Sequence, residues 1–173
     1  IANDLRWLAS GPRCGLAEIR LPALQPGSSI MPGKVNPVLP EALQQVCARA
    51  IGADAAVAWA GANGNLELNT FMPLLARELL EPIRLLAAAT DLLARNCVAG
   101  IEADTARCEE LVERSHALVT ALVPAIGYDR AAALAKTSAA TGRTLRELCL
   151  EQNLLPPDQL DALLDPRSMT GPR

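Results

Sequence analysis

The chain has 173 residues, of which 16 are basic and 19 acidic, and its formal net charge is −3. This balance excludes the basic surface typical of a nucleic-acid-binding protein, and a hydrophobic content of 50% excludes a disordered chain. No apolar run reaches the ~18 residues that a membrane-spanning helix needs.

The composition predicts an all-α fold. Aromatic residues make up only 2% of the chain, so its apolar content is mainly Ala, Leu, Val and Ile. Ala and Leu are strong helix formers. No strand-like alternation and no internal repeat is visible in the sequence.

Residues 1–10 are predicted to be the end of a helix. The chain does not begin with Met, and residues 1–5 have the pattern of a helix interior, so we expect a fragment that lacks an N-terminal part. Residues 11–37 are rich in Gly and Pro, which predicts a long loop. Apolar residues spread along this loop indicate that it is ordered.

Residues 38–60 have apolar side chains at helical spacing and predict a helix. Beyond Ala53 nearly every side chain is small or apolar, so we expect that half to be buried on most sides. Asp54 falls on the apolar stripe, where a charge is costly unless it is paired. It is interpreted as a satisfied core group or as an interface contact.

A second long helix is predicted at 68–96. Pro73 and Pro82 should each kink it or mark its first turn. Its polar stripe alternates in sign and consists of Arg77, Glu81, Arg84, Asp91 and Arg95. The two long helices are more apolar than this chain can cover, which indicates a larger bundle shared between subunits. We place a domain boundary near residue 100.

Shorter helices are predicted after residue 100. The first is expected at 104–123, stopped by Pro124 and Gly127, and the second at 129–141. A third should begin at Thr144, where Glu147 completes a capping box. The last runs from Pro157 to just before Pro166.

The five cysteines are odd in number and form no CxxC pair. Cys47, Cys108 and Cys149 fall at apolar helical positions, so we expect buried free thiols in a reducing compartment and no zinc site. The single histidine, His116, is interpreted as a surface or partly buried side chain.

The stretch GSSIMPGKVNP at residues 27–37 carries the candidate chemistry. Its glycines let a backbone approach a ligand closely. Lys34 and Asn36 are able to hold a carboxylate, and a serine near a cation is able to act as a base or nucleophile. The alternative is an ordinary polar turn with a surface lysine. The stretch is not a Walker phosphate loop, because Lys34 is followed by Val35.

These eleven residues resemble the signature of the fumarase/aspartase superfamily, the fumarate lyases. Earlier segments are similar to class II fumarases, and the tail from Thr141 onward is more similar to aspartases. The similarity covers the whole chain but only the C-terminal part of such an enzyme. The segments that carry it include ANDLRW at 2–7, GLAEI at 15–19, PVLPE at 37–41 and GNLELN at 64–69.

The resemblance implies a role for each residue of the site. Ser28 aligns with the catalytic base, and Ser29 would help to position substrate oxygens. Lys34 and Asn36 align with residues that bind a substrate carboxylate. Glu41 aligns with the acid that orients a catalytic-site histidine carried by an earlier segment, which His116 does not match.

The resemblance also implies an architecture and a reaction. Residues 1–100, with the signature loop at 20–37, would form the end of a long central helical bundle, and 101–173 a small helical domain. Family members are homotetramers, and we expect a cytoplasmic enzyme without metal or cofactor that acts on a small dicarboxylate, with no nucleic-acid or membrane partner. The loop is expected to close over substrate, with its glycines as hinges.

We expect reversible hydration of fumarate to malate through an aci-carboxylate intermediate. The alternatives are aspartate ammonia-lyase and a non-catalytic helical oligomerisation module. Because the other active-site regions would lie upstream, the 173-residue chain alone is expected to be inactive.

Overall fold

A computed structural model of the chain describes residues 1–170. The chain divides into two compact units, Ile1–Asp104 and Thr105–Arg173. Over the described residues it contains eight α-helices and one sheet of two very short strands, which confirms the all-α prediction. None of the helices in residues 1–170 is long and apolar enough to cross a membrane.

The first unit is built on a helical hairpin. It contains α1 (Ala2–Leu8), α2 (Val38–Ala62) and α3 (Met72–Asn96). Leu43 near the start of α2 and Leu93 near the end of α3 belong to one buried cluster with Cys97, so the two long helices run antiparallel. Burial of these apolar side chains is what holds the start of α2, and with it the end of the preceding loop, in place.

An ion-pair cluster joins the middle of the hairpin. The Arg49 guanidinium on α2 lies 2.5 Å from the carboxylate of Glu78 and 3.1 Å from that of Glu81, both on α3. Glu78 is only 9% exposed. The hydrogen bond between Arg49 and Glu78 is the main reason that the pKa of Arg49 is raised. A buried carboxylate of this kind is tolerated because it is paired.

The long Gly- and Pro-rich segment contains a strand, which the sequence did not predict. β1 (Ile19–Arg20) pairs antiparallel with β2 (Glu102–Ala103), and Ile19 lies opposite Ala103. A two-residue strand is too short to show alternation, and its partner lies at the far end of the unit. The absence of visible alternation in the sequence therefore did not reveal these two segments.

Several burial predictions for the two long helices are wrong within this chain. The second half of α2 is buried only along a narrow line of small residues that includes Ala53, whereas Trp59 is 60% exposed. Asp54 is exposed and is not a core group. Cys47 is also exposed. The predicted helix at 68–96 begins only at Met72, with Pro73 in its first turn and Pro82 in its interior.

Over residues 105–170, the second unit contains five α-helices and one apolar core. The core consists of Leu118, Leu122, Leu134, Leu145, Leu148, Cys149, Leu160 and Leu164. The helices are α4 (Thr105–Glu113), α5 (Val119–Ile126), α6 (Tyr128–Thr141), α7 (Leu145–Glu151) and α8 (Pro157–Leu164). The single helix predicted at 104–123 is wrong. Ser115 breaks it, because its side chain accepts a hydrogen bond from the Ala117 N–H and starts a 3-10 turn.

Local signals set the remaining helix ends. Gly127 follows α5 at φ +83°, and Gly142 follows α6 in the left-handed conformation, where glycine is favoured. Thr144 and Glu147 form the predicted capping box at α7. Pro124 lies inside α5 and does not end it. Cys149 is buried as expected, and Cys108 is partly buried.

Candidate functional site

Within the signature loop, residues 27–36 form a smaller loop whose two ends are joined at Gly27. The Gly27 N–H donates to the Lys34 carbonyl at 2.7 Å, and the Asn36 side-chain amide donates to the Gly27 carbonyl at 3.0 Å. A Cβ at position 27 would lie 2.5 Å from the Lys34 carbonyl oxygen, so only glycine fits there. The sequence suggested that glycine lets the backbone approach a ligand. At Gly27 it instead lets one end of the loop approach the backbone of the other end.

Ser28 has an oxygen that faces two backbone donors. Its Oγ accepts hydrogen bonds from the N–H groups of Ile30 and Met31, each at 3.1 Å. The side chain is half-buried, whereas that of Ser29 is exposed. Successive N–H groups that converge on one oxygen form an anion-stabilising concavity. Hydrogen bonds of this kind favour the charged form of the group that accepts them.

Four of the five predicted site residues line three surface grooves, and Ser29 lines none of these three. Ser28 and Lys34 share a groove of about 430 Å³. Lys34 also lines a second groove, of about 760 Å³, together with Asn36 and Arg20. Of the predicted site residues, Lys34 is the one that lines both grooves, and its N–H donates to the Met31 carbonyl at 3.3 Å. The loop thus places Ser28 and Lys34 on one groove and Lys34 and Asn36 on the other.

Glu41 lies apart, in a third groove. It is the fourth residue of α2, and its N–H donates to the Pro37 carbonyl at 3.1 Å. Its carboxylate Oε1 is 3.7 Å from an Nη2 of Arg6 on α1. The positive end of the α2 dipole favours a carboxylate at this position. The groove is lined by Arg6, Glu41, Gln44, Gln45 and Ala48.

Sequence reasoning missed two anchors of this region. Arg20 pairs with Asp104 at 2.6 Å beside the two short strands, and the hydrogen bond to Asp104 raises the pKa of Arg20. The Asp104 N–H also donates to the Glu18 carbonyl at 2.9 Å. These contacts fix the start of the loop to the end of the unit. The contact of Arg6 with Glu41 was likewise not predicted, since no local pattern links residues so far apart.

His116 makes a structural contact in the second unit. Its Nε2 lies 3.0 Å from Ser138 Oγ, and the Ser138 hydroxyl donates to the Arg143 carbonyl at 2.6 Å. Because the Ser138 proton is already committed, the imidazole is the donor in this pair. Within residues 1–170 there is no cluster of three or more His, Cys, Asp or Glu side chains placed to hold a metal ion.

Comparisons with known proteins agree over the whole chain. A family model described as Lyase matches residues 1–52, and one described as Fumarase C C-terminus matches residues 118–171. The aspartate ammonia-lyase of Pseudomonas canavaninivorans is 53% identical over 173 residues, which are 100% of this chain and 36% of that protein. The class II fumarate hydratase of Chromobacterium violaceum is 54% identical over 169 residues, 98% of this chain and 37% of that protein.

A solved structure shows the same fold. The crystal structure of a fumarate lyase:delta crystallin from Brucella melitensis bound to cobalt matches with a TM-score of 0.93 and 53% identity. The match covers 99% of this chain and 37% of that one. The chain thus spans little more than a third of the length of the relatives it matches.

Proposed function

The chain belongs to the fumarase/aspartase superfamily, and from that premise we propose that the protein carrying it is a class II fumarate hydratase-like lyase that interconverts fumarate and malate. Relatives named class II fumarate hydratase match 98–99% of the chain at 51–54% identity. We place the reaction in the cytoplasm, as a step of the tricarboxylic acid cycle, without metal or cofactor.

The observation that supports this proposal best is the environment of Ser28. A hydroxyl is a poor base at neutral pH, so the enzyme has to stabilise the alkoxide. Two N–H groups at 3.1 Å and the ammonium group of Lys34 on the same groove are suited to that task.

In the proposed reaction Ser28 Oγ removes a proton from the carbon beside one carboxylate of malate. The C–H electron pair moves into that carboxylate and forms the dianionic aci-carboxylate. The pair then returns as the carbon–carbon double bond forms, and hydroxide leaves the neighbouring carbon and is protonated to water. Such a weak carbon acid requires donors aimed at the extra charge, and Lys34 and Ser29 supply them.

Asn36 is able to bind substrate without opening the loop. Its amide nitrogen carries two N–H groups. One donates to the Gly27 carbonyl, which leaves the second for a substrate carboxylate. We therefore assign Asn36 two tasks, closing the loop and binding the carboxylate.

Glu41 is proposed to orient a histidine that another segment supplies. The only histidine of this chain, His116, is engaged by Ser138 in the second unit. The 173-residue chain alone is therefore expected to show no turnover, since it holds the base and its supporting donors but not the partner of Glu41.

We further propose a homotetramer formed through the helical bundle, with residues 1–100 in the bundle domain and 101–173 in a small helical domain. Large apolar side chains on α2 and α3 are exposed, among them Ile51 at 73%, Met72 at 62% and Ile83 at 62%. Apolar faces of this kind on soluble proteins are typical of subunit interfaces.

Aspartate ammonia-lyase is the second candidate. The observation that favours it is the 53% identity of two proteins of that name over 100% of the chain. Water and ammonia are eliminated by the same removal of a proton beside a carboxylate, so the loop fits both reactions. We expect the groups that distinguish the two leaving groups to lie in other segments of the intact protein.

The deciding experiment follows fumarate absorbance in the intact protein without added metal, first with malate and then with aspartate. Fumarate formed from malate alone supports the hydratase, and fumarate formed from aspartate alone supports the ammonia-lyase. Fumarate from neither contradicts both, and leaves another lyase of the superfamily or a non-catalytic helical oligomerisation module.

A further inference from the structure

Arg6 connects α1 to the first turns of α2. Its Nη1 donates to Gln44 Oε1 at 3.2 Å, and its Nη2 lies 3.7 Å from Glu41 Oε1. Gln44 follows Glu41 by three residues, so both side chains project from one face of the helix. Gln44 Nε2 in turn donates to Asn3 Oδ1 at 3.4 Å, which ties the group back to α1.

The guanidinium of Arg6 has one donor without a partner. Among the described residues, Arg6 Nε is the only buried side-chain nitrogen or oxygen that makes no hydrogen bond. A buried donor left unpaired is costly, so such an atom calls for a reason. Nε and Nη2 lie along one edge of the guanidinium, and this edge matches the two oxygens of a carboxylate. The Glu41 carboxylate lies 3.7 Å from Nη2, one of the two nitrogens of that edge.

We propose that Arg6 is a positioning residue for Glu41. Its guanidinium is held by Gln44 on one side and presents its other edge to the carboxylate, which fixes the direction in which Glu41 points. A carboxylate has about four lone-pair sites, so contact with Arg6 leaves acceptors for an imidazole N–H. This inference rests on the proposed function, in which Glu41 orients a catalytic-site histidine.

The exposure of both side chains explains why positioning is needed. Arg6 is 39% exposed and Glu41 is 35% exposed. A half-exposed glutamate has several rotamers open to it, and each misdirected rotamer lowers the fraction of active sites that are ready to react. An arginine anchored at a second point restricts those rotamers without touching the substrate.

The test is a double-mutant cycle in the intact protein, with kcat and KM measured for malate or aspartate, whichever is the substrate. Arg6→Met should lower kcat about tenfold in the wild-type background and less than about twofold in the Glu41→Gln background, as expected for coupled neighbours. KM should change little in both. Arg6→Lys keeps the charge but not the planar edge, so it should recover only part of kcat.

Two further variants guard against trivial loss of activity. Arg130→Met removes an exposed arginine of α6 in the second unit and should leave kcat unchanged. If Arg6→Met fails to fold, as judged by circular dichroism and oligomeric state, Gln44→Leu takes its place. Gln44→Leu removes only the second anchor of the guanidinium and should give a smaller decrease in kcat that also disappears in the Glu41→Gln background.

The outcomes separate this inference from the proposed function. If Glu41→Gln lowers kcat but Arg6→Met has no effect, or lowers kcat equally in both backgrounds, the positioning role is overturned and the proposed function stands. If Glu41→Gln is as active as the wild type, the role proposed for Glu41 fails and this inference fails with it, while the lyase function stands. If the wild type lacks lyase activity, the proposed function itself fails.

Discussion

Replacing Gly27 by alanine tests whether closure of the loop base supports catalysis. The added Cβ would lie 2.5 Å from the Lys34 carbonyl oxygen, 2.8 Å from its carbon and 3.0 Å from the Asn36 nitrogen. All three are backbone atoms, so the two ends of the loop have to separate. The separation removes the hydrogen bonds at 2.7 and 3.0 Å. Each is worth about 1 kcal/mol, and the loss of both totals about 2 kcal/mol.

This free energy corresponds to a decrease of about 30-fold in the population of molecules whose loop ends are joined at Gly27. We expect kcat/KM of the intact protein to fall by a similar factor. Amide exchange at residue 27 should accelerate in parallel. Gly33→Ala is the matched control, because Gly33 has φ +76° but nothing lies within 4 Å of an added Cβ. Its strain of about 1 kcal/mol should cost about fivefold. Wild-type kcat/KM in Gly27→Ala, or a larger loss in Gly33→Ala, would refute the reasoning.

Ser28→Ala should lower kcat by about 10³-fold without changing the oligomeric state, and surviving activity would show that another group is the base. Arg49→Met leaves the carboxylate of Glu78 buried and unpaired and should lower the urea concentration at the midpoint of unfolding. The double variant with Glu78→Leu should recover most of that loss; no recovery would contradict the ion-pair argument. Burial raises the pKa of the Cys149 thiol, so less thiolate forms at a given pH. Iodoacetamide at pH 8 should therefore label exposed Cys14 and spare Cys149, and equal rates would count against that burial.

The helices were predicted where their signals are local. Thr144 and Glu147 lie three residues apart, and both hydrogen bonds of their capping box form as expected. Gly142 ends α6 because it adopts a left-handed conformation that other residues avoid. The break at Ser115 was also signalled by a local capping residue, but the apolar spacing on both sides of it suggested one continuous helix.

Features that depend on distant contacts were not predictable in the same way. Ile19 pairs with Ala103, and neither of these short strands has enough residues to show a period. The exposure of Trp59 was mispredicted for the opposite reason. Its sequence surroundings indicate burial, and burial on that face requires atoms that this chain by itself does not provide.

The site was predicted as a set of residue types, and the structure adds their partners. The motif identified Ser28 and Lys34 as candidates, but residue types specify which groups donate and accept, not which of them meet. The two N–H groups on Ser28 Oγ follow from the turn that the backbone makes after it. The hydrogen bond of Asn36 to Gly27 was not expected, because the motif suggested that its amide faces the ligand.

Ser28 and Glu41 are held in place in different ways. The loop itself supplies two N–H donors to Ser28 Oγ, from residues two and three positions further on. Glu41 lacks its proposed partner within this chain, because the histidine that it is proposed to orient belongs to another segment. A carboxylate that waits for a partner from another segment has to keep its direction in the partner's absence, since reorienting it during the reaction would lower the rate. Arg6, which Gln44 anchors, is the group that we propose keeps the direction of the Glu41 carboxylate constant. The loop is held at Gly27 by its own backbone, whereas Glu41 is proposed to be held by Arg6 from a neighbouring helix.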